Sequence, residues 1–335
     1  MNKPVTQAEV QRLAEVAQSA LMRMRADEAR EPLQELAALL PHNPTVLLLL
    51  RWAALLEFDW PAERAPVTPA PCAPPAADAV DLVLFHVDLP AAPSGLHGRI
   101  DYMAVAALSF EAARHRAPRA RRVLLTDEHT NVPDALGAQD IVRLPIDRDR
   151  LMYSRMRAHE QYLAARPADR ATVFMDVDIV PNRDPAGIFA EGFDVGLTWR
   201  PEFPDAPING GLIFIGPGEA GRAFFQKSIA CYDAVAADAR LSALFDRDLR
   251  AWWGDQYALA LMVDYRLFAS SAHDGVSVDG ARVRLFPCAD YNFTPEAGHS
   301  YSADFLASRY FLHFKGNRKA MQAQYLNHMR AMPPA

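Results

Sequence analysis

The chain has 335 residues, half of them hydrophobic and 23% charged, the composition of a globular protein with room for a full core and a smaller second unit. Its net charge of −6 excludes a general attraction to nucleic acid or to an anionic membrane, so any phosphate must be gripped locally. Three widely spaced cysteines, Cys72, Cys231 and Cys288, fit a reduced compartment and neither a disulfide framework nor a zinc site.

Residues 1–64 read as a helical segment. Ala8, Val10, Leu13, Val16, Ala17, Ala20 and Leu21 recur at helical spacing, and helices over 27–40 and 45–58 follow, parted by a Pro-His-Asn-Pro break. The pattern resembles a tetratricopeptide-type helical pair. One pair cannot bury its own face, so it is expected to dock on the rest of the chain or on another one, which leaves a homodimer or a protein partner open. The start lacks the charged-then-apolar pattern of a signal peptide, and the apolar run 46–56 is broken by Arg51. No transmembrane segment is expected, and the cytoplasm, at most the periphery of the inner membrane, is the expected location.

Residues 65–78 form a Pro/Ala linker that sustains neither a helix nor a central strand. Residues 79–335 then alternate: strands over 80–86, 122–126, 140–144 and the run ending at Asp176, with helices over 101–114 and 151–165. The second half is more mixed, with strands over 193–199, 212–215, 283–286 and 309–314 and helices over 218–236 and 254–265. Such an order implies an α/β fold, a Rossmann-like, mostly parallel mixed sheet with flanking helices. Ligands in these sheets sit beyond the carboxyl ends of the strands, where His86, Asp88, Asp176 and Asp178 fall.

Four groups of residues carry chemistry. Asp176 and Asp178 end an apolar strand one residue apart; alternation would turn both to the same face, where they could share a cation. Near the tail, Tyr310-Phe-Leu-His313-Phe-Lys-Gly316-Asn-Arg-Lys319 sets an imidazole at a strand end, then a glycine that lets backbone amides approach an anion, then an ammonium. Lysine occurs only at positions 3, 227, 315 and 319 in a chain that otherwise uses arginine, so two lysines beside His313 suggest a phosphate pocket. Paired carboxylates suit Mg²⁺ or Mn²⁺, and the added imidazole favours Mn²⁺. Asn209-Gly210-Gly211 offers close backbone approach and an amide for a sugar hydroxyl, although an Asn-Gly turn is the local alternative. Trp252-Trp253-Gly254-Asp255-Gln256 opens a helix with Asp255 near its positive end, as a cap or as part of a sugar pocket.

The order Asp-x-Asp, Asn-Gly-Gly, Asp-Gln and His-Phe-x-Gly-x-x-Lys, over roughly residues 80–320, resembles the metal-dependent GT-A glycosyltransferases, closest to the retaining family 8 of glycogenin and the bacterial lipopolysaccharide glycosyltransferases. The resemblance implies transfer from a nucleotide-diphosphate sugar, expected to be a UDP-sugar, to an unknown glycan, lipid-linked or protein acceptor. It further implies that Asp176, Asp178 and His313 ligate Mn²⁺ (or Mg²⁺), and that Lys319 and the Gly316 backbone hold the diphosphate. His86 and Asp88 would lie near the base and Arg155, in Tyr153-Ser-Arg155, would contact the donor, while Asn209, Asp255 and Gln256 surround the transferred sugar. Ala320 stands where the family has Pro-Trp, and the family's second aspartate after Asp255-Gln256 is missing. Two other readings stay open. Asp176-x-Asp178-x-Val also fits a haloacid-dehalogenase-type phosphatase with Asp176 as nucleophile, and the helical start would suit a non-catalytic adaptor.

Overall fold

The structure is a computed structural model that describes residues 6–68, 70–89, 100–203, 206–244, 254–264, 266 and 275–330. Helices α1 (Gln7–Met22), α2 (Ala26–Leu39) and α3 (Pro44–Glu57) open the chain. Thr6 caps α1 by accepting from Glu9 N at 3.3 Å, and Asn43 caps α3 by accepting from Thr45 N and Val46 N, with Pro44 at the position where a missing N–H costs nothing. The apolar faces of all three merge with the main core rather than standing alone. Arg51 donates to Leu244 O at 2.8 Å, and Glu57 pairs with both Arg30 and Arg240, so α3 is the docking element. Among the described residues no helix is long and apolar enough to cross a membrane.

The strands are β1 (Arg64–Pro66), β2 (Val80–Phe85), β3 (Arg121–Thr126), β4 (Asp140–Arg143), β5 (Ala171–Met175), β6 (Ile179–Pro181), β7 (Val195–Trp199), β8 (Ile208–Ile215), β9 (Gly275–Val278), β10 (Ala281–Pro287) and β11 (Phe311–His313). Nine of them form one mixed sheet in the order β1-β9-β10-β7-β8-β5-β2-β3-β4, and β6 pairs with β11 in a two-stranded ribbon. The parallel pairings join β5, β2, β3 and β4, plus β10 to β7; the remaining ones are antiparallel. This is an α/β fold with a helical segment before it.

Helices α5 (Leu151–Ala165), α6 (Ala220–Ala237) and α7 (Gly254–Met262) cover one face, against Val83, Val123, Phe174 and Ile213. Helix α4 (Tyr102–Arg116) covers the other, against Leu82, Leu84, Val173 and Phe214. Alternate residues of β2 thus serve opposite cores, which is why its sequence is apolar throughout. The last helix, α8 (Lys319–Arg330), packs Leu326 and Met329 on Val180, Leu312 and Phe314 of the ribbon. The strand order reverses between β2 and β5, so the crevice beyond their carboxyl ends is a topological switch point.

Segment 65–78 contributes more than a tether. Arg64–Pro66 is an edge strand on β9, where a proline is tolerated because one side of the strand has no neighbour, and Arg64 donates to the Met262 and Leu261 carbonyls.

Candidate functional site

Strand β5 stops at Met175, and the two aspartates lie just past it, in a turn closed by Ile179 N donating to Asp176 O at 3.0 Å. Strand alternation is therefore not what brings them together, contrary to the reading of the sequence; the turn does, because residues i and i+2 there curl around one centre instead of extending. The ribbon supplies the third group. His313 lies opposite Ile179 in β6, and Phe314 N donates to Asp178 O at 2.9 Å, so the tail is stitched to the Asp-x-Asp turn by backbone. Asp176, Asp178 and His313 each present a ligand atom, all within 4.8 Å of one another.

His313 Nε2 stands 3.2 Å from Asp178 Oδ1, and Lys319 Nζ stands 2.6 Å from Asp178 Oδ2. Burial alone would push the Asp178 carboxyl up, but His313 and Lys319 hold it well below the usual carboxylate range. Two carboxylates and an imidazole are donors of the right kind for Mg²⁺ or Mn²⁺, so the residues present fit a divalent cation.

The far side of Asp176 is organised by α5 and β8. Arg155 Nη1 donates to Asp176 Oδ1 at 2.6 Å and Nη2 to Asp255 Oδ2, so one guanidinium brackets two carboxylates from distant segments. Arg155 is 7% exposed, and Asp255 and Asp176 keep it protonated despite a burial that works the other way. Strand β8 reaches this bracket through a bulge. Thr198 pairs with Asn209 where a regular register from Leu197↔Ile213 would give Leu212, so the Asn209–Gly211 stretch is thrown out toward the carboxylates. There Gly211 O accepts from Asp176 N at 2.7 Å, Asn209 Oδ1 accepts from Gly211 N at 2.9 Å, and Gln256 Oε1 accepts from Gly210 N at 3.3 Å. A Cβ on Gly211 would lie 2.4 Å from Asp176 Oδ2, and one on Gly210 3.1 Å from Asp255 Oδ2. Gly211 is needed because backbone and carboxylate share that space, and Gly210 is closely approached by Gln256, Asp255 and Arg155.

At the end of β2, His86 Nε2 lies 3.2 Å from Asp88 Oδ1, and Asp88 is tied to the loop after β3 through Thr130 and Asn131. Burial lowers the His86 pKa, with Asp88 opposing. The His86 ring stacks on Tyr102 at 6.0 Å, and the same tyrosine ring lies 5.7 Å from Lys319 Nζ, which connects this end to the Asp178 cluster. Gly316 adopts φ +57, the left-handed region that favours glycine, and opens the turn before Lys319. Trp252 and Trp253 lie outside the described residues.

The structure thus gathers Arg155, Asp176, Asp178, Asn209, Asp255, Gln256, His313 and Lys319 at one end of the sheet, with His86 and Asp88 joined to them by Tyr102. Three contributors were not singled out in the sequence: Tyr102, Thr198 and Asn292. Thr198 Oγ1 donates into the bulge, and Asn292, 1% exposed, touches both Thr198 and His313. Only a polar side chain next to an aromatic pair, Tyr291-Asn292-Phe293, marks the last of these in the sequence.

No protein-family model and no curated protein matches the chain. Among solved structures, the chain is similar to the galactosyltransferase LgtC in complex with donor and acceptor sugar analogues, at 12% identity, TM-score 0.43, over 75% of this chain and 95% of that one. It is similar to the glycosyltransferase GlyE of Streptococcus pneumoniae at 12% identity, TM-score 0.43, over 73% and 60% respectively. Mouse xyloside xylosyltransferase 1 is similar at 12% identity, TM-score 0.41, over 71% and 98%.

Proposed function

We propose that the chain is a GT-A-type glycosyltransferase of the family 8 kind, transferring a sugar from a nucleotide-diphosphate donor, expected to be a UDP-sugar, with Mn²⁺ or Mg²⁺ at Asp176, Asp178 and His313. The observation that carries this reading is the convergence of those three ligands with Lys319, beside a glycine bulge flanked by Asn209, Asp255 and Gln256. Held by these residues, a divalent cation would supply positive charge to stabilise a departing diphosphate. Lys319 and the backbone at Gly316 bind the phosphate oxygens, and His86 and Asp88 take the base side. Asn209 and Gln256 orient the sugar hydroxyls, and Asp255 faces the sugar carbon that becomes positive. Arg155 acts through Asp176 and Asp255 by holding both in place.

Retention of configuration is supported by the state of the carboxylates. Asp176 and Asp255 are paired with Arg155, and Asp178 with His313 and Lys319, which leaves none of the three free as a general base for an acceptor. The phosphatase reading is disfavoured by the place of Asp176 in the chain: that motif ends a domain's first strand, whereas β2, β3 and β4 precede β5 here. The helical start is assigned to packing against the catalytic unit and not to an adaptor role of its own.

A thermal-shift panel of nucleotide sugars with and without Mn²⁺ tests the reading, since a ligand that binds only the folded state raises its apparent stability. A UDP-sugar is expected to raise the melting temperature only when Mn²⁺ is present, and Asp178→Ala is expected to abolish that dependence. Equal shifts with and without metal, or a variant that behaves like the wild type, would count against it.

A further inference from the structure

The metal side and the bulge side of the site are joined by a chain of uncharged hydrogen bonds whose proton positions can be counted. Thr198 Oγ1 lies 3.0 Å from Asn209 O and 3.2 Å from Leu212 O. Both are carbonyls and only accept, and the Cys288 thiol is a further partner, so the single hydroxyl hydrogen of Thr198 goes to the bulge or to the sulfur and a lone pair faces Asn292. Asn292 Nδ2, which only donates, lies 3.1 Å from that hydroxyl oxygen, and Asn292 Oδ1 lies 3.0 Å from His313 Nδ1. Turned over, the amide would set its oxygen against a hydroxyl with no hydrogen to offer and its NH₂ against the ring nitrogen. The amide orientation is therefore fixed, and an acceptor facing Nδ1 requires a hydrogen on Nδ1, whether or not Nε2 also donates to Asp178 Oδ1, 3.2 Å away, while no cation is bound.

We propose that Asn292 is a positioning residue that keeps the proton of His313 on Nδ1, so that Nε2 presents its lone pair to the divalent cation beside Asp178, and that Thr198 locks Asn292 in that role from the sugar-side bulge. The inference rests on the metal reading above and adds to it a residue that touches neither metal nor sugar. Such partners of a ligating histidine set its tautomer, its ring orientation and its basicity, and their loss weakens metal binding on the order of 10–100-fold. Asn292 and His313 are 1% and 4% exposed, so water cannot readily replace the lost partner.

The test is a Mn²⁺ titration of the full chain in the wild type, Asn292→Leu and Asn292→Asp, with a metal-free melt for each. Asn292→Leu is expected to lower Mn²⁺ affinity on the order of 10–100-fold, and Asn292→Asp, which still accepts from Nδ1–H but sets a second oxygen against Thr198, to lose distinctly less than Asn292→Leu. Wild-type affinity in Asn292→Leu, or an equal loss in both variants, overturns the proposal. Should Asn292→Leu fail to fold, the imidazole ¹⁵N resonances of His313 in the Mg²⁺-loaded wild type decide: a proton on Nδ1 supports the assignment and a proton on Nε2 overturns it. A wild type that binds no Mn²⁺ at all would instead overturn the metal reading itself, so the two failures are distinguishable.

Discussion

At the scale of single residues, the site is crowded in a way that makes small changes severe. Gly211 combines two demands: its carbonyl accepts from Asp176 N, and its Cα lies where any side chain would strike the Asp176 carboxylate. Gly211→Ala cannot be absorbed by moving a flexible tip, because Asp176 is held on its other oxygen by Arg155 and the next contact, Asn209 Oδ1, lies only 3.0 Å from the added methyl. The carboxylate must leave the position in which it shares a centre with Asp178 and His313. A titration with Mn²⁺ is expected to show affinity lower by about 10-fold or more, with an overpacking cost of roughly 1–3 kcal/mol in stability. Gly316→Ala makes the contrast. Its Cβ meets nothing within 4 Å but its φ is +57, so it should cost on the order of 1 kcal/mol in backbone strain and leave metal affinity within about two-fold. Equal effects of the two alanines on Mn²⁺ binding would refute the argument from crowding.

At the scale of elements, what could be read from the sequence follows the range of the forces that make each element. Strands β2 and β3 and helices α1, α4 and α5 carry their own periodicity, and the structure reproduces them within a residue or two; β5 forms where the sequence places it but stops at Met175, short of the two aspartates. Strands β1, β6 and β9 have three or four residues and exist only through partners elsewhere: Arg64 pairs with Val278, and Ile179 with His313. Helix α8 carries little signal of its own in the sequence because its apolar positions are sparse and its burial is supplied by the ribbon. The site divides the same way. Asp176, Asp178, His313 and Lys319 are legible because their motifs are local, whereas Asn292 acquires meaning only from Thr198, 94 residues away in the chain. The docking of α3 yields a prediction at this scale. Trp52 is 3% exposed in the core shared by the first three helices and the sheet. Trp52→Ala is expected to destabilise the whole chain by about 3–5 kcal/mol, read as one shifted urea transition. A separate early transition, with the sheet core melting at the wild-type midpoint, would show that the helices fold as an independent unit.

At the scale of the whole molecule, stability and site share one acid-sensitive point. His159 sits one helical turn after Arg155 on α5, stacked on Phe174 at 3.8 Å and flanked by the edge of Phe225, and it is 5% exposed. Burial, and then the charge of Arg155, push its pKa well below 6.5, so the folded protein holds it neutral. The unfolded chain protonates the same ring below a pH of about 6.5, which means that the unfolded state binds the extra proton. Stability is thus whole above about pH 6.5 and falls as pH drops from there toward the depressed folded value, by at most about 1.4 kcal/mol per pH unit for this one group. Buried His86 shifts in the same direction and adds to the slope. Asp178, whose pKa is depressed, contributes stability that is lost only below about pH 4, so the two effects occupy different windows. His159→Phe keeps an aromatic ring between Phe174 and Phe225 and removes the proton acceptor. Urea midpoints at pH 7 and pH 5 are expected to lie closer together in His159→Phe than in the wild type. An identical pH slope in both proteins would place the acid sensitivity elsewhere and detach it from α5.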